Sequence, residues 1–238
     1  MLYAELLRRE SSWAHIQALQ AVFLKYGMPF SYYVDSHSIF RFVQGRDSIW
    51  REHRKLTDDI DPQWKQVLKD CGVKVIYALS PQAKGKIERP YQWLQDRLVR
   101  TCVRNNVADI ATARTFLDRE IQRYNYRQVH STTLEVPYSR LQKALREKKS
   151  LFRQFRVPPP FQSVKDIFCL RLERTADAYC RVSINNQFRS VNYANPGDVL
   201  SLRFHPMTAG ATEVRFWRGQ RLLDAQRLKT SDLAGMQF

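Results

Sequence analysis

The hydrophobic positions of this chain change period along its length: up to about residue 148 most apolar stretches recur at helical spacing, and beyond residue 164 they alternate as in strands. LYAELL (2–7), apolar but broken by Glu5, predicts a strand. Ser11 and Ser12 stand ahead of Trp13, Ile16, Leu19, Phe23 and Leu24, which recur at helical spacing, and Gly27 is placed to end that helix. FSYYV (30–34) is aromatic and β-branched and predicts a buried strand with Asp35 at its exit. Residues 36–60 mix both charge signs with aromatics, and an excursion with short helices is expected there. Asp61 before Pro62 opens a helix that ends at Gly72. VKVIYAL (73–79) is then a strand and SPQAKGK (80–86) a loop. From about 86 to 105, Ile87, Tyr91, Leu94, Leu98 and Cys102 share one helical face, with Glu88 beside that stripe. Helices over about 108–126 and 137–148 follow.

The three prolines of VPPPF (157–161) end any helix and make a stiff spacer. Beyond them DIFCLRLE, AYCRVSI, QFRSVNY, DVLSLRF, TEVRFW and RLLDAQ read as short strands. Asn185-Asn186, Asn195-Pro196-Gly197 and Arg218-Gly219 supply turns between them. The pattern gives residues 1–150 as an α/β core, 151–163 as a basic, proline-rich linker and 164–238 as a small all-β barrel or sandwich.

Composition narrows the partners. An apolar fraction of 44% with 12% aromatic residues excludes a disordered chain. Thirty-nine Lys and Arg against 23 Asp and Glu leave a charge of +16, which calls for a polyanion. Half of that excess lies in residues 100–160, with thirteen basic and five acidic side chains. Arg140, Lys143, Arg146, Lys148 and Lys149 lead from it into the linker. No apolar run approaches the ~20 residues of a spanning helix, and residues 1–15 lack the succession of a signal peptide. Nucleic acid is therefore the expected partner, without a membrane, in a cytoplasmic setting. Cys71, Cys102, Cys169 and Cys180 have neither disulfide-framework nor zinc-ligand spacing.

Asp35 and Glu88 stand out as carboxylates carried on rigid elements, the donors a hard divalent cation requires. Each also has a plainer role open to it, as a turn former after a strand or as a complement to the helix macrodipole. Their surroundings favour the first. YGMPFSYYVDSHSIF resembles the G-x-P-x-x-x-x-x-D segment of retroviral-type integrase and DDE transposase catalytic cores. SPQAKGKIERPYQWLQDRL is similar to their S-P-x-x-x-G-x-x-E-R block, and RYNYRQVHSTTLEVPYSRL to the segment that closes such cores. Over about residues 2–145, the resemblance implies a ribonuclease H-like core of an insertion-sequence transposase. It also implies DNA integration and recombination by two-metal phosphoryl transfer with Mg²⁺ or Mn²⁺. Asp35 and Glu88 match the second and third acids of its Asp, Asp, Glu triad. They are 53 positions apart, longer than the compact spacing of retroviral integrases, and the excess falls in 36–60, read as an insertion.

By the same resemblance Lys84, Lys86 and Arg89 flank the acid where phosphates approach, and Gln92 and Gln95 continue its helix face toward DNA. His37 is placed to assist the site or to serve as a turn residue, while His130, Trp64 and Trp93 read as structural. The family's first acid lies on an earlier strand, and no Asp occurs in residues 1–34. The core is thus expected to lack its first strands and to be inactive alone, with two of three ligands. Residues 30–34 would then lack a sheet partner on one side. The β-rich tail resembles the small β-barrel that follows the core in Mu-type transposases, implying nonspecific contact with DNA or with a partner subunit. Element ends, target duplex and a homo-multimer or full-length transposase are the implied partners. The alternative is a non-catalytic DNA-binding remnant or regulator of a full-length transposase.

Overall fold

The computed structural model of the chain describes residues 1–34, 62–78, 85–207 and 210–233, with residues 85–87 as backbone only. These residues fall into two compact units. The first holds 1–10, 21–34, 74–78 and 85–155; the second holds 11–20, 62–73, 156–207 and 210–233. Helix α1 (Ser12–Tyr26) therefore gives its first turns to the second unit and its last to the first. Ser11 caps it, its hydroxyl accepting from the Ala14 N–H at 3.2 Å.

In the first unit, β1 (Met28–Pro29) pairs antiparallel with β4 (Phe152–Arg153), and β2 (Ser31–Val34) pairs parallel with β3 (Lys74–Tyr77). Three helices accompany them: α3 (Gly85–Arg104), α4 (Ile110–Arg127) and α5 (Pro137–Arg146). Leu94 and Leu98, one helical turn apart, meet Leu117 of α4. Met1, Ala4, Leu6, Trp93, Phe116 and Ile121 pack around them. Asp109 starts α4 by accepting from the Thr112 N–H at 2.8 Å.

Three expectations are corrected here. Residues 2–7 form no strand, and no strand among the described residues takes up their backbone. Instead the Leu6 carbonyl accepts from Arg114 Nε and Nη2 at 3.1 and 2.8 Å, and the segment lies on the helix pair through Met1, Ala4 and Leu6. Residues 30–34 are not wholly buried: Val34 is, but Phe30 and Tyr33 stay exposed, since among the described residues β2 pairs with β3 alone. Tyr91 is 59% exposed, so among the described side chains the buried stripe of α3 begins at Leu94.

In the second unit, β5 (Leu170–Thr175), β8 (Val199–Pro206), β9 (Ala211–Arg218) and β10 (Arg221–Lys229) form an antiparallel sheet in the order β10-β9-β8-β5. Between β5 and β8 the chain makes a separate hairpin of β6 (Arg181–Ile184) and β7 (Gln187–Ser190). Asn185 and Asn186, at φ 48° and 61°, give the mirror-image turn that such a two-residue connection requires. Residues 164–167, expected to be entering a strand, form the short helix α6 (Val164–Ile167) because Ser163 and Asp166 build a capping box. Helix α2 (Gln63–Asp70) also belongs to this unit.

The strand register assigns the two sheet faces. Leu170, Phe204 and Val214 lie side by side, as do Leu172, Leu202 and Phe216. On the opposite face Arg171, Arg203 and Arg215 stand directly across from one another on three adjacent strands. That row is neutralised from both ends. Asp70 accepts from Arg171 at 2.8 Å and Arg203 at 3.2 Å. Asp166, fully buried, accepts from Arg215 Nε at 2.5 Å and from Trp217 Nε1 at 3.0 Å. Gln63 brackets the backbone of the edge strand β5, donating to the Arg171 carbonyl at 2.9 Å and accepting from its N–H at 2.8 Å.

Candidate functional site

Of the residues expected to carry chemistry, Asp35, His37 and Lys84 lie outside the described residues, and Lys86 is described as backbone in the first turn of α3. Glu88 sits in that same turn, exposed and with no ion pair to a described residue. Pro90 lacks the N–H that would close on the carbonyl four residues back, so the turn bearing Glu88 is short of one helix hydrogen bond. Arg89, Gln92 and Gln95 are exposed, and the i, i+4, i+7 spacing of Glu88, Gln92 and Gln95 puts them along one side of the helix. Leu94 and Leu98 anchor the helix by its other side. Lower on α3 two of the cations are already engaged, Arg97 with Glu120 at 3.0 Å and Arg100 with Asp96 at 2.8 Å. Among the described residues no group of three or more His, Cys, Asp or Glu gathers as a metal cluster, and Asp35 is not one of those residues.

The structure separates the basic residues around α5, which look equivalent in sequence, into two kinds. Arg140 pairs with Glu135 at 2.6 Å and Lys149 with Glu147 at 2.9 Å. Lys143, Arg146 and Lys148 are exposed and without a carboxylate partner among the described residues. Lys148 has a φ of 54°, which is why α5 stops at Arg146 short of the expected end. Arg140 and Lys149 border a cavity of about 470 Å³ that also takes in Met1, Tyr124, His130 and Phe152. The neutralising roles of Glu135 and Glu147 were missed in sequence because their partners stand five and two residues away, not at helical pair spacing.

The residues closing the core segment hold structure together. Tyr124 is buried with its ring 5.1 Å from that of Trp93. Asn125 bonds Met1 twice, accepting from its amino group at 2.6 Å and donating to its carbonyl at 2.8 Å. His130 accepts from the Thr132 N–H at 3.2 Å. Trp64 is buried in the second unit.

No protein-family model matches the chain. Over 225 residues, 93% of its length, it is 27% identical to the protein y4bF of Sinorhizobium fredii. Over 129 residues, 54% of its length, it is 30% identical to the protein of insertion sequence IS1202 from Streptococcus pneumoniae. Both relatives are named as transposases. The chain spans 44% of the first and 26% of the second, less than half of either relative. No helix among the described residues is long and apolar enough to cross a membrane.

Proposed function

We propose that the chain acts in DNA transposition as part of an insertion-sequence transposase, with a ribonuclease H-like integrase core followed by a DNA-contacting β domain. The observation that carries this reading is the likeness, along 93% of the chain, to a protein named as a transposase. The net charge of +16 and the exposed acid on α3 accord with it.

In this reading Asp35, next after β2, and Glu88 on α3 hold Mg²⁺ or Mn²⁺. The donor set fits such ions, since both are carboxylates and Glu88 has no cation among the described residues to compete for it. Bound divalent ions supply Lewis-acid activation of a water or 3′-hydroxyl and neutralise charge at the phosphorus. The chain's own residues then position the DNA. Lys84, Lys86 and Arg89 face its phosphates, and Gln92 and Gln95 extend the contact along α3 as hydrogen-bonding groups. Lys143, Arg146, Lys148 and, less strongly, the paired Arg140 and Lys149 add sequence-independent grip.

The test has two parts. The 238-residue chain is expected to bind duplex DNA with a steep salt dependence; binding that is absent or insensitive to salt overturns the reading. With Mn²⁺ and linear DNA bearing element ends, a full set of three acids is expected to be needed for joining. A second reading, DNA binding without catalysis, is favoured by Lys143, Arg146 and Lys148, which are exposed and have no carboxylate partner among the described residues. It predicts no joining by these residues alone and unchanged binding after Asp35→Asn. Robust joining that Glu88→Gln abolishes would decide against it.

A further inference from the structure

The β6–β7 hairpin of the second unit presents an aromatic surface that neither core nor sheet uses. Val182 and Ile184 turn inward and are buried, so their neighbours Arg181 and Ser183, with Phe188 and Ser190 opposite, form the outward face. On that face the Arg181 guanidinium lies 4.7 Å from the Tyr179 ring centre and 4.9 Å from that of Phe188. Both rings are open to solvent, Tyr179 at 76% and Phe188 at 61% exposure.

The presentation is built. Asp177 Oδ1 accepts from the backbone N–H groups of Tyr179 and Arg181 at 2.8 and 2.9 Å, and Cys180 takes a left-handed φ of 57°. Together these turn the Tyr179 ring outward. Asp177 Oδ2 also takes the Arg181 Nε–H at 3.0 Å, fixing the plane of the guanidinium beside the two rings.

This arrangement discriminates among ligands. The neighbouring arginines each hold oxygen acceptors as well. Arg174 donates to the Ser183 and Glu173 carbonyls, and Arg189 donates to Gln187 and lies 3.8 Å from Asp232. Each of these guanidinium groups is thus partly occupied by an oxygen acceptor, while the outward ring surface is open and suits another flat π-system. We propose that Tyr179, Arg181 and Phe188 form a stacking platform for unpaired nucleobases, so that the β domain binds single-stranded DNA. The inference rests on the reading of the chain as a DNA-transposition protein, whose +16 charge makes a polyanion the favoured occupant.

The experiment measures binding of the full 238-residue chain to three labelled probes: a thymidine single strand, an abasic strand of equal length and a duplex. Tyr179→Ala and Phe188→Ala are each expected to weaken the thymidine strand about 5- to 100-fold, leaving the abasic strand and the salt slope unchanged. Tyr179→Phe and Phe188→Tyr, which keep the rings, are expected to bind as the parent does. Equal losses on thymidine and abasic strands, or none on either, overturn the platform. So does a change in self-association by sedimentation without a change in DNA binding, which assigns the face to a second copy of the chain. Duplex binding without single-strand binding refutes the platform and spares the transposition reading; no DNA binding at all removes both.

Discussion

A Cβ placed on Gly27 would lie 2.5 Å from the Arg153 carbonyl oxygen, where β4 crosses the end of α1, and the residue's φ is +94°. Both the backbone conformation and the close approach exclude a side chain. Gly27→Ala is therefore expected to cost about 1–3 kcal/mol, measured by chemical denaturation. Gly219, at φ +56° with nothing near its missing Cβ, carries the conformational cost alone and makes the matched control. His205 offers a second test at this scale. Burial holds its imidazole below the ordinary histidine range, and the nearby Lys165 works the same way, against the Phe168 carbonyl 2.7 Å from Nδ1 and the Glu213 carboxylate. The unfolded chain thus takes up the proton first as the pH falls. The stability this histidine contributes is complete above its unfolded pKa of about 6.5 and is lost as the pH drops toward the lower folded value. The melting temperature is expected to be lower at about pH 5.5 than at about pH 7.5, and His205→Gln to shrink that difference. An unaltered difference in the variant would place the acid sensitivity elsewhere.

Among the elements, the packing of α2 against the charged sheet face depends on one carboxylate. Asp70 serves both Arg171 and Arg203, whose side chains are only 9% and 11% exposed. Asp70→Ala leaves two guanidinium groups buried with one fewer anion, and a loss of about 3–5 kcal/mol is expected in denaturant unfolding followed at the second unit. Leu98→Ala, between α3 and α4, tests the first unit by a different mechanism, a cavity costing about 2–5 kcal/mol. How far these elements could be read in advance follows from the range of the forces involved. The helix caps at Ser11, the stop at Gly27 and the Asn185-Asn186 turn are local, and their residue types announced them. The alternation in LRLE, LSLRF and EVRF announced strands, but not that Arg171, Arg203 and Arg215 would align, since that depends on register between strands far apart in sequence. The partnership of Asp70 with Arg171 spans 101 positions and left no periodic signal. LYAELL misled for the same reason, because its composition suits a strand while the Arg114 side chain, not a neighbouring ladder, takes its backbone.

For the whole molecule, the charge of +16 predicts affinity for DNA, and the structure separates the candidate cations by whether a carboxylate already holds them. Sequence alone gave Arg140, Lys143, Arg146, Lys148 and Lys149 equal weight. Of these, Arg140 and Lys149 already face Glu135 and Glu147, so a phosphate must compete with a carboxylate for each. Lys143, Arg146 and Lys148 face solvent, so under the proposed function they are expected to release counterions on binding DNA without that competition. Each phosphate contact adds about 0.9 to the magnitude of the slope of log affinity against log salt on duplex DNA. Replacing Lys143, Arg146 and Lys148 together by Ala should lower the slope by up to about 2.7, whereas replacing Arg140 and Lys149 should lower it by less than their number implies. Titrating duplex binding of both variants between low and moderate salt measures the contrast. Because all five residues lie outside the buried clusters of either unit, thermal unfolding of each variant should stay near that of the parent. Equal slope changes per removed cation would mean that Glu135 and Glu147 yield their partners to DNA at no cost.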